Sequence, residues 1–164
     1  MSTTRTITGL AVGALTAMLV GSEATASPRC ITVRGTYTEQ IAAGPDCASP
    51  VGLCIDGEYR GSFRGPLSGA ASALLPTADT PTTGVVLFTS DAVIDAQVRG
   101  LEGTLLTKNA GAFNTTGAGD IVDAQTIIGG TGDFTGATGG IRAEGTFTTE
   151  AGGRSSYTGT ICVP

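Results

Sequence analysis

Histidine is absent from this 164-residue chain. Without an imidazole there is no Ser-His-Asp triad and no Cys-His nucleophile pair. The commonest ligand of catalytic metal sites is missing too. Basic residues are few: nine Lys and Arg stand against fourteen Asp and Glu, a net charge of −5. A nucleic-acid partner demands a basic surface, and an anionic membrane attracts one. Neither fits this balance, which reads most simply as solubility. No apolar 3.6-residue period runs through the chain after its first 26 residues, so helices are not expected to build it. The glycine-dense stretch 127–141 holds Gly130-Thr-Gly132, but Thr135 stands where a dinucleotide fingerprint needs its third glycine. No Gly-Lys-Ser or Gly-Lys-Thr follows. The stretch is therefore read as a backbone corner, and no cofactor is expected.

What is present begins with an export signal. Arg5 precedes an apolar run from Ile7 to Val20, and Ala24-Thr25-Ala26 makes a small-x-small cleavage site. Residues 1–26 read as a secretory signal peptide and 27–164 as one domain. The rival reading, an uncleaved membrane anchor, needs a longer apolar run. The mature protein is expected outside the cytoplasm, extracellular or in the cell envelope, and not in a membrane. Removing the leader takes away one Arg and one Glu and leaves the net charge unchanged.

Four cysteines lie in the exported part, Cys30, Cys47, Cys54 and Cys162. An even count behind a signal peptide suggests disulfides. Of the three possible pairings we prefer Cys47–Cys54, closing a short loop, with Cys30–Cys162 tying the first strand to the last. A zinc site is the rival, but it would have to be built without histidine and without any Cys-x-x-Cys pair.

Alternation and β-branched residues predict strands over Cys30–Thr38 and Cys54–Gly65. The second of these puts Asp56, Glu58, Arg60 and Arg64 on one face and Ile55, Tyr59 and Phe63 on the other. Pro66–Pro76 is ambiguous between helical turn and strand, and we favour strand. Further strands are expected over Gly84–Thr89, Ala92–Leu105, Asp120–Ile128, Ile141–Thr149 and Ser155–Val163. Thr77–Thr83 reads as a loop and Thr107–Gly117 as a turn-rich excursion. A small motif recurs: Gly35-Thr-Tyr, Gly61-Ser-Phe, Gly103-Thr-Leu, Gly145-Thr-Phe and Gly159-Thr-Ile. A glycine two residues before a bulky side chain lies on the same strand face, which lets a sheet coil tightly and close. The expected fold is all-β, a closed antiparallel barrel of about eight strands.

Gly111-Ala-Phe-Asn114, Ile128-Gly-Gly-Thr-Gly-Asp-Phe-Thr-Gly-Ala-Thr-Gly139, Gly145-Thr-Phe147 and Tyr157-Thr-Gly-Thr-Ile-Cys162 resemble the allene oxide cyclase barrel-like proteins, to which the dirigent proteins are similar. The resemblance covers roughly Gly84 to Cys162 and is sharpest at the Gly-Gly-Thr-Gly-x-Phe corner. It implies a calycin-like barrel of eight antiparallel strands. Members include cyclases, dirigent proteins that steer radical coupling, and exported bacterial proteins, which this chain looks like most. A shared barrel does not carry shared chemistry, so no catalytic residue is transferred.

Carboxylates, tyrosines and arginines remain as candidates for chemistry. The plain reading makes Asp56, Glu58, Arg60, Arg64, Asp95, Gln97, Arg99, Asp123, Gln125, Arg142 and Glu144 a solvated outer face. The sharper one places a carboxylate in an apolar lumen, where desolvation raises its pKa and fits it for proton transfer. Glu58 and Asp95 are the candidates for that role. Tyr37, Tyr59 and Phe63 are expected to line the lumen, with Phe134 as an inward plug at one end. Three functions follow: a secreted barrel binding a small apolar ligand, a cofactor-free cyclase or isomerase for a lipid- or polyketide-like substrate, and a filled structural barrel of the cell envelope.

Overall fold

The structure, a computed structural model, describes residues 27–42, 44–77 and 84–164. The expected signal peptide and most of the expected Thr77–Thr83 loop lie outside them. Eight strands follow in order: β1 (Arg29–Ile41), β2 (Cys54–Gly61), β3 (Gly65–Pro76), β4 (Val85–Val98), β5 (Leu101–Asn114), β6 (Asp120–Gly130), β7 (Thr138–Thr148) and β8 (Gly152–Val163). Each pairs antiparallel with the next, and β1 pairs with β8, so the sheet closes into a barrel. Closure leaves no unpaired edge. Pro66–Pro76, ambiguous in sequence and favoured as strand, lies wholly in β3.

The strand boundaries of the middle region differ from those expected. The sequence predicts separate strands over Gly84–Thr89 and Ala92–Leu105, with a turn-rich excursion after them. In the structure β4 runs unbroken to Val98, and β5 runs through most of the supposed excursion. The real turn is Arg99-Gly100, where both residues have positive φ, 49° and 81°. That is the backbone of a two-residue hairpin whose twist matches its strands. Ser90 and Asn109 look like turn residues but are buried and face each other across the β4–β5 ladder.

Two apolar clusters fill the barrel ends. The larger contains Ile31, Val33, Phe63, Leu105, Phe134, Tyr157 and Ile161. Phe134 sits in the single 3-10 turn among the described residues, Gly132–Phe134, and is fully buried, closing this end. Tyr157 shows why glycines precede bulky residues here. Gly35 and Gly61 face each other in register. A Cβ at Gly35 would lie 2.8 Å from the Tyr157 hydroxyl, and one at Gly61 3.3 Å away. The missing side chains leave room for the ring, whose hydroxyl donates to the Phe63 carbonyl at 2.7 Å. The smaller cluster, at the other end, is built on Phe113, Ile121 and Phe147, with Phe88 and Ile41 against it.

Disulfides join Cys30 to Cys162 and Cys47 to Cys54. Cys30 and Cys162 are direct partners across the β1–β8 seam, so the first bond is a covalent staple on barrel closure. Such bonds persist in oxidising compartments, consistent with an extracellular protein. No helix among the described residues is long and apolar enough to cross a membrane.

Candidate functional site

Between the two apolar ends the barrel wall turns polar on its inner face. Strand alternation places these groups. On β1 the inward set is Ile31, Val33, Tyr37 and Glu39. On β6 it is Ile121, Asp123, Gln125 and Ile127. Ser90 enters from β4, Thr107 and Asn109 from β5, and Ser155 from β8. Glu39, Asp123, Gln125, Asn109 and Ser90 line one cavity with Tyr37 and Tyr59. Its remaining wall is apolar and includes Ala71, Ala92, Phe88, Phe113, Ile121 and Phe147. The cavity volume is about 50 Å³. A water needs roughly 10–15 Å³ of such space, so a few waters or a small head group fit. A longer apolar body would have to lie against the Phe88, Phe113 and Phe147 rings.

One hydrogen-bonded chain orders part of the floor. The Tyr59 hydroxyl donates to Gln125 Oε1 at 2.6 Å. Gln125 Nε2 then donates to Asp123 Oδ2 at 2.8 Å. Tyr59 thereby sets the orientation of the Gln125 amide, and Gln125 holds one carboxyl oxygen of Asp123. The other oxygen is left over. Among the described residues, Asp123 Oδ1, Glu39 Oε1 and Asn109 Oδ1 are buried without a hydrogen-bond partner, as is Thr107 Oγ1. A buried polar atom left unpaired costs roughly 1–3 kcal/mol, more if charged. Gly153 faces Glu39 across the β1–β8 ladder. A Cβ there would lie 2.8 Å from Glu39 Oε1, so glycine makes the room this carboxyl occupies.

Burial dominates the electrostatics. It raises the Glu39 carboxyl to about 7, and the negative charge of Asp123 adds to the rise. Asp123 is pushed up to about 6 by burial, against the lowering effect of its bond from Gln125. Burial also raises Tyr37 and Tyr59 well above the ordinary phenol range, and both remain protonated at working pH. No positive group compensates inside: every described Arg and Lys is exposed. The lumen is an acidic pocket with two carboxyls that titrate close to neutrality.

This site is not the one expected from sequence. Glu58 and Asp95 are both on the outer wall, where they line a shallow groove with Arg64. Glu58 is paired with Arg60 at 2.7 Å. Neither reaches the lumen, because each sits on the strand face that alternation turns outward. Asp123 and Gln125, sorted with the solvated face in sequence, point inward instead. Tyr37 and Tyr59 line the cavity. Phe63 and Phe134 also point inward, but belong to the packed end below it. Sequence reasoning misses Glu39 because it ends the first strand at Thr38. Among the described residues no group of three or more His, Cys, Asp or Glu could hold a metal ion.

Fold and site together define an eight-stranded antiparallel barrel with an acidic, partly unsatisfied lumen. No family model matches the chain, and no curated protein matches it.

Proposed function

We propose that this chain is an exported barrel that binds a small molecule in its lumen. The ligand's apolar body would lie against Phe88, Phe113, Ile121 and Phe147, with a hydrogen-bond-donating head reaching Glu39, Asn109 and Asp123. One observation carries this: three buried acceptors without partners, Glu39 Oε1, Asn109 Oδ1 and Asp123 Oδ1, belong to residues lining one cavity. A barrel filled only for stability has no use for acceptors left at such a cost. A fatty-acid carboxylate is a poor occupant, since it would meet two acids and no cation. Export is supported by the apolar leader, the Ala24-Thr-Ala26 site and the two disulfides. Kinship with the allene oxide cyclase barrel-like proteins is supported by the closed eight-stranded architecture and the Gly-Gly-Thr-Gly-Asp-Phe corner.

1-Naphthol, an apolar body with one donor, tests the reading. Its fluorescence should change saturably on addition of the protein. Ala71→Leu, which fills the lumen, should remove most of that response while circular dichroism stays unchanged. No saturable response, or one indifferent to Ala71→Leu, would count against a lumenal site.

A second reading, a cofactor-free cyclase or isomerase, is favoured by the carboxyl pair itself. With Glu39 near 7 and Asp123 near 6, one can donate a proton while the other accepts one at neutral pH. Turnover of a reactive substrate would then be lost in both Glu39→Gln and Asp123→Asn and kept in Glu58→Gln.

A further inference from the structure

We propose that the head group taken by the lumen is a primary ammonium, seated between Glu39, Asp123 and Asn109. The inference rests on the lumenal-binding reading and narrows it. The three atoms left without partners on residues that line the cavity are all acceptors, two of them carboxyl oxygens. An ammonium carries three donors and no acceptor, so it can answer all three atoms at once. A hydroxyl offers one donor and leaves two atoms orphaned. Charge points the same way. The groups facing the two acids are Tyr37 on β1, Tyr59 on β2, Ser90 on β4, Asn109 on β5, Gln125 on β6 and Ser155 on β8, none of them cationic. The aromatic wall of Phe88, Phe113 and Phe147 favours a cation over an anion, because ring faces are negative. The cavity of about 50 Å³ suits a head group of this size.

Binding also moves protons. Near pH 6, Glu39 is mostly protonated in the empty barrel. An incoming ammonium favours the ionised form of both acids, and Asp123 is about half protonated at that pH, so up to about 1.5 protons leave for each amine bound, and almost none leave well above neutrality.

The test is calorimetric titration of the full exported chain with n-hexylamine, 1-hexanol and hexanoate, at about pH 6 and about pH 9, in buffers of differing ionisation heat. Expected are saturable binding of hexylamine, weaker binding of hexanol and none of hexanoate, with proton release at the lower pH only. Glu39→Gln and Asp123→Asn should each weaken hexylamine by about 10- to 100-fold, the loss of one charged hydrogen bond. Glu144→Gln, an exposed acid on the outer wall, should leave it unchanged. Equal loss with Glu144→Gln would mean the amine sits on the acidic surface and would overturn the proposal. Binding of hexanol or hexanoate at least as tight as hexylamine would overturn it while leaving a lumenal site in place. Failure of all three while 1-naphthol binds would do the same; failure of 1-naphthol as well would remove both readings.

Discussion

The buried acids should make the protein less stable as pH rises through neutrality. Glu39 has a folded value of about 7 against an ordinary 4.5, and Asp123 about 6 against 3.8. Both are raised, so the folded state holds these protons more tightly than the unfolded chain does. Their stabilising effect is complete below the unfolded values and is lost as pH climbs through the folded ones. Each tenfold gain in proton affinity on folding is worth about 1.4 kcal/mol. Between about pH 5 and pH 8 that amounts to about 2.5 kcal/mol for Glu39 and about 1.5 kcal/mol for Asp123. Urea unfolding at several pH values, with fluorescence and circular dichroism read together, measures the sum. The wild type should lose about 4 kcal/mol across that range and Glu39→Gln only about 1.5 kcal/mol. Glu58→Gln should keep the full wild-type slope, because Glu58 is exposed on the outer wall. A wild-type stability flat between pH 5 and pH 8, or a Glu39→Gln variant with the full slope, would refute the reasoning.

Three further outcomes follow from the same geometry. Phe134→Ala should cost about 3–5 kcal/mol in chemical denaturation, since the ring is fully buried and the cavity it leaves is enclosed; a loss under about 1 kcal/mol would show that the end is not plugged by it. Replacing Cys30 and Cys162 by Ser should cost about 5 kcal/mol and replacing Cys47 and Cys54 about 2.5 kcal/mol, because the loops closed differ so much, with separations of 132 and 7 residues; equal costs would show that loop length is not what matters. Tyr59→Phe should cost about 1–3 kcal/mol in the same assay, as Gln125 Oε1 loses its donor in a buried site, and a neutral result would mean the Gln125 amide finds another partner.

Much of the architecture is legible in the sequence because it depends on local rules. Alternation along Cys54–Gly65, the glycine-before-bulky motif and paired terminal cysteines all describe a sheet that coils and closes. The site is less legible. On Asp120–Ile128, both parities carry apolar residues, Ile121 and Ile127 on one and Val122 and Ile128 on the other. Period-two patterning alone does not say which faces in when an outer wall is itself partly apolar. Charge, used as the tie-breaker, misleads, because this barrel keeps two of its acids inside. The same logic breaks β4 and β5 at the wrong places. Ser90 and Asn109 carry turn chemistry in sequence but serve as lumen polar groups in the fold. By contrast Tyr37 and Tyr59 are readable, since aromatic rings on an alternating strand have few places to go but inward.

In the proposed function a ligand enters the lumen and meets the Glu39–Asp123 floor. Chemical-shift mapping of the isotope-labelled protein titrated with n-hexylamine tests it most directly. Shifts are expected to concentrate at Tyr37, Glu39, Asn109, Phe113, Asp123 and Phe147, which line the cavity. Shifts concentrated instead on the outer apolar residues Val93, Leu106 and Ile128, with the inner set unmoved, would contradict it.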